Sequence, residues 1–288
     1  MDVSPQEFRD VQTLVRTLCG LILTDDKTYL VRTRLESVVQ AHKCATFAEY
    51  LGRLQQSNAN AMRDELVEAL TTGETSFNRD GHLFEEFRQR MLPAIAETIR
   101  RRREALYPVP VARIWSAGCS TGQEPYSLAM AIHDFITSNP QSGLRVEQLP
   151  ILATDVSARS LNTAKVGRYT ERELDRGVPP EQRQKYFHRE HEFWVVNDEL
   201  KRSIDFRRMN FVEPVNHLGP FEVIFCRNVL IYFDAATRQR LCTQFHSLLA
   251  PGGLLVLGAA ESLYGLNTPF VSEAIGGTTV YRKPGGIL

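Results

Sequence analysis

The chain has 288 residues, 34 of them basic and 34 acidic, and that balance excludes the strongly cationic surface of a general nucleic-acid binder. Its length exceeds one ordinary domain of about 150 residues, and 43% hydrophobic residues suffice for real cores, so a large domain with a smaller companion is expected. The five cysteines are widely spaced without a CxxC pair, the opening MDVSPQEFRD lacks the basic and apolar regions of a secretory signal, and no apolar run approaches the ~20 residues that span a bilayer. The expectation is a soluble cytoplasmic protein with free thiols, taken as a monomer, bound to no nucleic acid and not inserted in a membrane.

Residues 1–76 read as all-helical. SPQEFRDVQTLVRTLCG puts Ser4 at an N-cap and Gly20 at a helix stop, with Phe8, Val11, Leu14, Val15 and Leu18 at helical spacing. DDKTYLVRTRLESVVQAH, TFAEYLGRLQQ and NAMRDELVEALTT repeat the pattern, so four short amphipathic helices make a small bundle. The polar stretch TTGETSFNRD, Thr71 to Asp80, breaks the period. A segment at 77–107 follows, mostly one long helix from about His82 to Leu106, closed by Pro108 and Pro110. Arg100 to Arg103 end that helix, where the dipole favours cations, and read as a solvated face.

From 108 to 288 the period changes. ARIWSA, PILATDV, FEVIFC and GGLLVLG are buried-type strands, and PYSLAMAIHDFI, SARSLNTAKVG and ATRQRLCTQFHSLLA are helices between them. Such alternation implies an α/β fold with a parallel doubly wound sheet. FVSEAIGGTTVYRK reads as an antiparallel hairpin at the sheet edge. An insertion at about 167–207 holds a helix, PPEQRQKYF, and a hairpin, EFWVVNDELKRSIDF. His188 and His191 have HxxH spacing, but no third ligand is placed, so no metal is expected.

The loop SAGCSTG joins the first strand to its helix, where doubly wound sheets bind ligands. Gly118 and Gly122 let a ligand approach the backbone. A dinucleotide site wants GxGxxG, and the spacing fails. A P-loop wants Lys after the last Gly, and Gln123 stands there. A loop that holds the tail of S-adenosylmethionine fits better, with a plain tight turn as the alternative. Asp155 ends the second strand, placed for ribose hydroxyls, with an N-cap for the next helix as the alternative. With LLAPGGLLVLG and the edge hairpin, the whole reads as a Rossmann-like class I methyltransferase sheet.

FEVIFCRNVLIYFD, IWSAGCSTGQEPYS, TTGETSFNRD and ILATDVS closely resemble the chemotaxis receptor methyltransferases, the CheR family, in order and over nearly the whole chain. The resemblance implies S-adenosyl-L-methionine-dependent methylation of glutamate side chains on the cytoplasmic helices of a methyl-accepting chemoreceptor, with S-adenosyl-L-homocysteine as second product. It implies that Thr75 and Arg79 reach the methionine end and reacting centre. Glu124 and Asp155 are cofactor-binding carboxylates, Asn210 and Phe211 flank the adenine, Arg227 and Asn228 follow the fourth strand at the cofactor, and Tyr232 lies beside the transferred methyl. Arg32 and Arg34 face the acidic receptor, with ordinary surface charge as the alternative. Three positions depart from the pattern: Gly73 for a cofactor-contacting Asn, implying weaker cofactor binding, Asn78 for an aromatic, and Gln123 for an acid. YFHREHEFWVV lacks the glycine found in members that tether to a receptor C-terminal pentapeptide, implying docking through the N-terminal domain instead.

The chemistry asks little of the protein. A glutamate carboxylate, of reference pKa ~4.3, is ionised at neutral pH and needs no general base, only alignment. Arg79 is suited to hold a carboxylate in a fork, or alternatively to bridge the domains as an ion pair, and Tyr232 to shape the pocket. The rival readings are a methyltransferase of another protein or a small acid, and a non-catalytic cofactor-sensing adaptor.

Overall fold

The computed structural model describes residues 2–215 and 217–285, so the last three positions of the 108–288 segment lie outside the described residues. The N-terminal helices are α1 (Pro5–Cys19), α2 (Thr28–Ala41), α3 (Phe47–Leu54) and α4 (Asn60–Leu70). Ser4 caps α1 in a full capping box with Glu7, and Gly20 ends it at φ 77°. Val11, Val15, Val31, Leu35, Tyr50, Leu54 and Leu66 form the centre of a core of their own.

The expected long helix is continuous but not uniform. It runs as α5 (Gly81–Glu86), a π turn at Phe87–Met91, and α6 (Leu92–Glu104). Pro93 explains the π turn: it has no N–H and its ring excludes the carbonyl four residues back, so the ladder widens before it. The arginines at its end divide. Arg100 and Arg101 are exposed and pair with Glu97. Arg102 binds the buried Glu222 at 2.5 Å, and Arg103 binds the carbonyl of Gly143 at 2.7 Å, so these two fasten the helix to the sheet domain.

The main sheet contains β1 (Ile114–Ala117), β2 (Ile151–Asp155), β6 (Ile204–Arg208), β7 (Phe221–Cys226), β8 (Leu249–Leu257), β9 (Val271–Ile275) and β10 (Thr278–Arg282), in the order β6-β2-β1-β7-β8-β10-β9. The first five are parallel, and β10 and β9 form the expected antiparallel edge hairpin. Helices α7 (Gln123–Ser138), α8 (Ala158–Val166) and α12 (Ala235–Leu248) cover the faces. Strand alternation divides the core: Ile114, Val223 and Phe225 pack on one face, Trp115, Ile224 and Cys226 on the other. All five cysteines are buried free thiols.

The insertion differs from expectation. Its small sheet, ordered β3-β5-β4, comprises β3 (Arg168–Thr170), β4 (Phe187–Glu190) and β5 (Phe193–Val196), carried by α9 (Glu171–Asp175) and α10 (Pro180–Tyr186). The hairpin turn falls at His191, φ 54°, ahead of the stretch EFWVVNDELKRSIDF. That stretch supplies β5 as the second hairpin strand and then, in place of a further hairpin strand, α11 (Asp198–Arg202), anchored by buried Leu200, and β6, which leaves the insertion and pairs in parallel with β2. The sheet order reverses between β1 and β7, which makes the carboxyl ends of β1, β2 and β7 the place for a ligand.

Candidate active site

The turn from β1 into α7 is tight for reasons of protein packing. Gly118 has φ 89° and a Cβ there would fall inside the side chain of Val229. Gly122 has φ 97°, and its Cβ would lie 2.8 Å from that of Ala164. Both need glycine, but only Gly118 reaches the cavity that opens at these strand ends. Gly122 is the N-cap of α7, and its missing side chain makes room for α8. Ser120, itself at φ 49°, donates its N–H to Asp155 at 2.8 Å and its hydroxyl to the carbonyl of Gly73 at 2.7 Å. The other Asp155 oxygen accepts from Ser157 N–H at 2.9 Å. Ser157, not Asp155, caps α8. Burial raises the Asp155 carboxyl pKa, against the lowering pull of these backbone donors.

A buried charge cluster stands behind the cavity. Arg227, 6% exposed, donates to Glu124 at 2.9 Å, to Asp80 at 2.7 Å and to the Arg79 carbonyl at 2.8 Å. Glu124 also accepts from Ser116 Oγ at 2.7 Å. Glu124 and Arg227 line the cavity, yet they chiefly hold each other and the wall. The 71–80 stretch is pinned alongside. Phe77 is fully buried, edge-on to Tyr169 and Phe187. Asn78 sits at φ 47°, a region Asn enters more readily than an aromatic, and its side chain donates to the Gly177 carbonyl at 2.8 Å. Arg79 makes no ion pair among the described residues. Among the described residues its guanidinium bonds to the Glu74 carbonyl at 3.2 Å, so the domain-bridging salt bridge is not formed there and the guanidinium keeps free donors at the cavity. Other residues bridge the domains: Arg208 grips Asp64, and Arg16 meets Asp234 at 2.7 Å.

The structure gathers Thr75, Arg79, Gly118, Glu124, Asp155, Asn210, Phe211, Arg227, Asn228 and Tyr232 around this one cavity. Phe211 packs edge-on against Trp115 and Phe245. The Asn210 amide donates to the Leu18 carbonyl at 2.6 Å, and the Tyr232 carbonyl accepts from Ile22 N–H at 2.9 Å, so both are tied to the N-terminal helices. Sequence reasoning missed Cys19 and Leu21, which close the cavity from that side; the helix stop at Gly20, φ 77°, was the available signal. The Arg34 guanidinium donates to the carbonyls of Leu70 and Thr71, both at 3.1 Å, and to the Thr72 hydroxyl, holding the end of α4. Arg32 is exposed and pairs with Asp2 at 3.1 Å.

Residues 73–278 match the family described as CheR methyltransferase, SAM binding domain, and residues 6–71 match its all-alpha domain. The chain belongs to the CheR methyltransferase family. It is 38% identical over 269 residues to a chemotaxis protein methyltransferase of Vibrio anguillarum, covering 93% of each chain. It is 35% identical over 283 residues to chemotaxis protein methyltransferase 1 of Pseudomonas aeruginosa, covering 98% of this chain and 99% of that one. The Escherichia coli chemotaxis protein methyltransferase is 34% identical, with 97% and 91% covered. This CheR chain is thus a chemotaxis methyltransferase whose cofactor is S-adenosyl-L-methionine. The cavity suits that group. It offers an acidic acceptor in Asp155 and apolar surface from Leu21, Val156 and Phe211.

Arg227→Ala should leave the Glu124 and Asp80 carboxylates without their cation and cost about 3–5 kcal/mol of stability. Urea unfolding followed by circular dichroism measures this, and a loss below about 1 kcal/mol would contradict the buried cluster as described.

Proposed function

We propose that this protein methylates glutamate side chains on the cytoplasmic helices of a chemoreceptor, yielding glutamate methyl esters and S-adenosyl-L-homocysteine. The observation that carries the reading is the uncommitted guanidinium of Arg79 in the same cavity as Tyr232, a carboxylate holder with no carboxylate of its own among the described residues. Bound S-adenosyl-L-methionine supplies a methyl group already activated on a sulfonium. The protein needs no base, because the accepting carboxylate is already ionised; it needs alignment. In this reading Asp155 accepts from ribose hydroxyls, Asn210 and Phe211 border the adenine, and Thr75 lies toward the methionine end with Arg79. Asn228 helps hold the cofactor, and Tyr232 shapes the reacting end. Arg32 on α2 presents its charge to the acidic receptor, and the enzyme works in the cytoplasm. Among the described residues no helix is long and apolar enough to cross a membrane.

Incubation with labelled S-adenosyl-L-methionine and receptor-bearing membranes should label the receptor, and mild alkali should release the label. Label that survives alkali would exclude a glutamate ester. Asp155→Ala should weaken binding of S-adenosyl-L-homocysteine by roughly 1–3 kcal/mol in calorimetry, while Arg79→Ala should keep binding and lose turnover. Parent-like affinity in the first or parent-like kcat in the second would remove that residue from its role. The α10 helix passes into β4 with no residue between Tyr186 and Phe187, which supports docking without a tethering pentapeptide. Titration with receptor C-terminal pentapeptides should give no low-micromolar binding; such binding would reverse that reading.

A further inference from the structure

The loop after β8 carries a carboxylate to which neither the cofactor nor the substrate has so far given a role. Glu261 accepts four backbone N–H groups from two chain segments. Oε2 accepts from Asn228 at 2.6 Å and from Gly258 at 2.8 Å, and Oε1 from Val229 at 3.0 Å and Ile231 at 3.2 Å. Three of these donors lie just past the end of β7, at the start of the short helical turn Leu230–Tyr232, where N–H groups lack a carbonyl within the turn. The segment cannot be relaxed in place. Asn228 is held at φ 57°, Val229 fills the space above Gly118, and a Cβ on Gly258 would sit 2.9 Å from both the Asn228 nitrogen and Glu261 Oε2. Asn228, Val229, Ile231 and Tyr232 all line the cofactor cavity, whereas Glu261 does not.

An ionised carboxylate can accept all four bonds, and charge strengthens each. A neutral amide of the same shape has one acceptor oxygen and would turn an NH2 group toward two N–H donors. We infer that Glu261 is a positioning residue whose charge fixes the 228–232 segment, and through it Asn228 and Tyr232, against the cavity. Its effect on turnover rests on the methyl-transfer reading above.

The experiment compares full-length Glu261→Gln and Glu261→Asp with the parent. Three quantities are read: amide hydrogen exchange over residues 227–233 without cofactor, affinity for S-adenosyl-L-homocysteine by calorimetry, and kcat and KM on receptor membranes. Glu261→Gln should exchange faster in that segment alone, bind about tenfold more weakly, and lose a similar factor in kcat with little change in receptor KM. Glu261→Asp, which keeps the charge, should recover part of each loss. A Gln variant with parent exchange and affinity within about twofold overturns the inference, and so does an Asp variant as impaired as Gln. If the Gln variant does not fold, the Asp variant decides alone: its shorter reach should speed exchange in 227–233, and parent-like exchange and affinity overturn the inference. A parent that labels no receptor refutes the proposed function, while the exchange and affinity measurements still test Glu261.

Discussion

Three chain segments meet on one buried cation. Arg227 follows β7, Glu124 opens α7, and Asp80 ends the stretch that leaves the N-terminal helices; the guanidinium binds both carboxylates and the neighbouring Arg79 carbonyl. A charge at 6% exposure is tolerable only when it is paired and hydrogen-bonded, so the three segments are held together or the cluster fails as a unit. The ring of Phe84, 5.6 Å from the guanidinium carbon, covers it from the α5 side. Everything the cavity presents depends on this junction, because Arg79 projects from beside Asp80 and Asn228 follows Arg227 directly.

Around the junction the backbone is bent where it must be. Asn78, Asp80, Ser120 and Asn228 all take positive φ, and all lie in the loops that build the site. Such conformations cost free energy and persist only when neighbours over-determine them. Here the determinants are visible. Phe77 is locked among aromatic rings, Ser120 spans from Asp155 to Gly73, and Glu261 collects the N–H groups after β7. The site is thus shaped mostly by contacts of protein with protein. That leaves the Arg79 guanidinium and part of the Asp155 carboxylate open toward the cavity.

The N-terminal helices are part of that enclosure. Cys19 and Leu21 form one side of the cavity, Leu18 and Ile22 bond to Asn210 and Tyr232, and ion pairs on either side brace the seam. The exposed pairs contribute little individually, so the apolar closure and the buried backbone bonds decide the fit of the two parts.

The sequence alone determined what depends on local period and chain order. The capped N-terminal helices, the alternating strands and helices, the edge hairpin and most residues of the cavity wall follow from spacing and from the family motifs, since hydrophobic periodicity and turn chemistry act over a few residues. Tertiary structure decided the rest. Gly122 is small because α8 lies against it, Arg34 is occupied by carbonyls more than thirty residues away, and β6 joins the main sheet because β2 offers it a parallel edge. The work of Glu261 is likewise invisible locally, because three of its four donors come from a segment some thirty residues earlier in the chain. Each of these depends on which distant group fills the space or accepts the hydrogen bond, and that is known only once the chain has closed on itself.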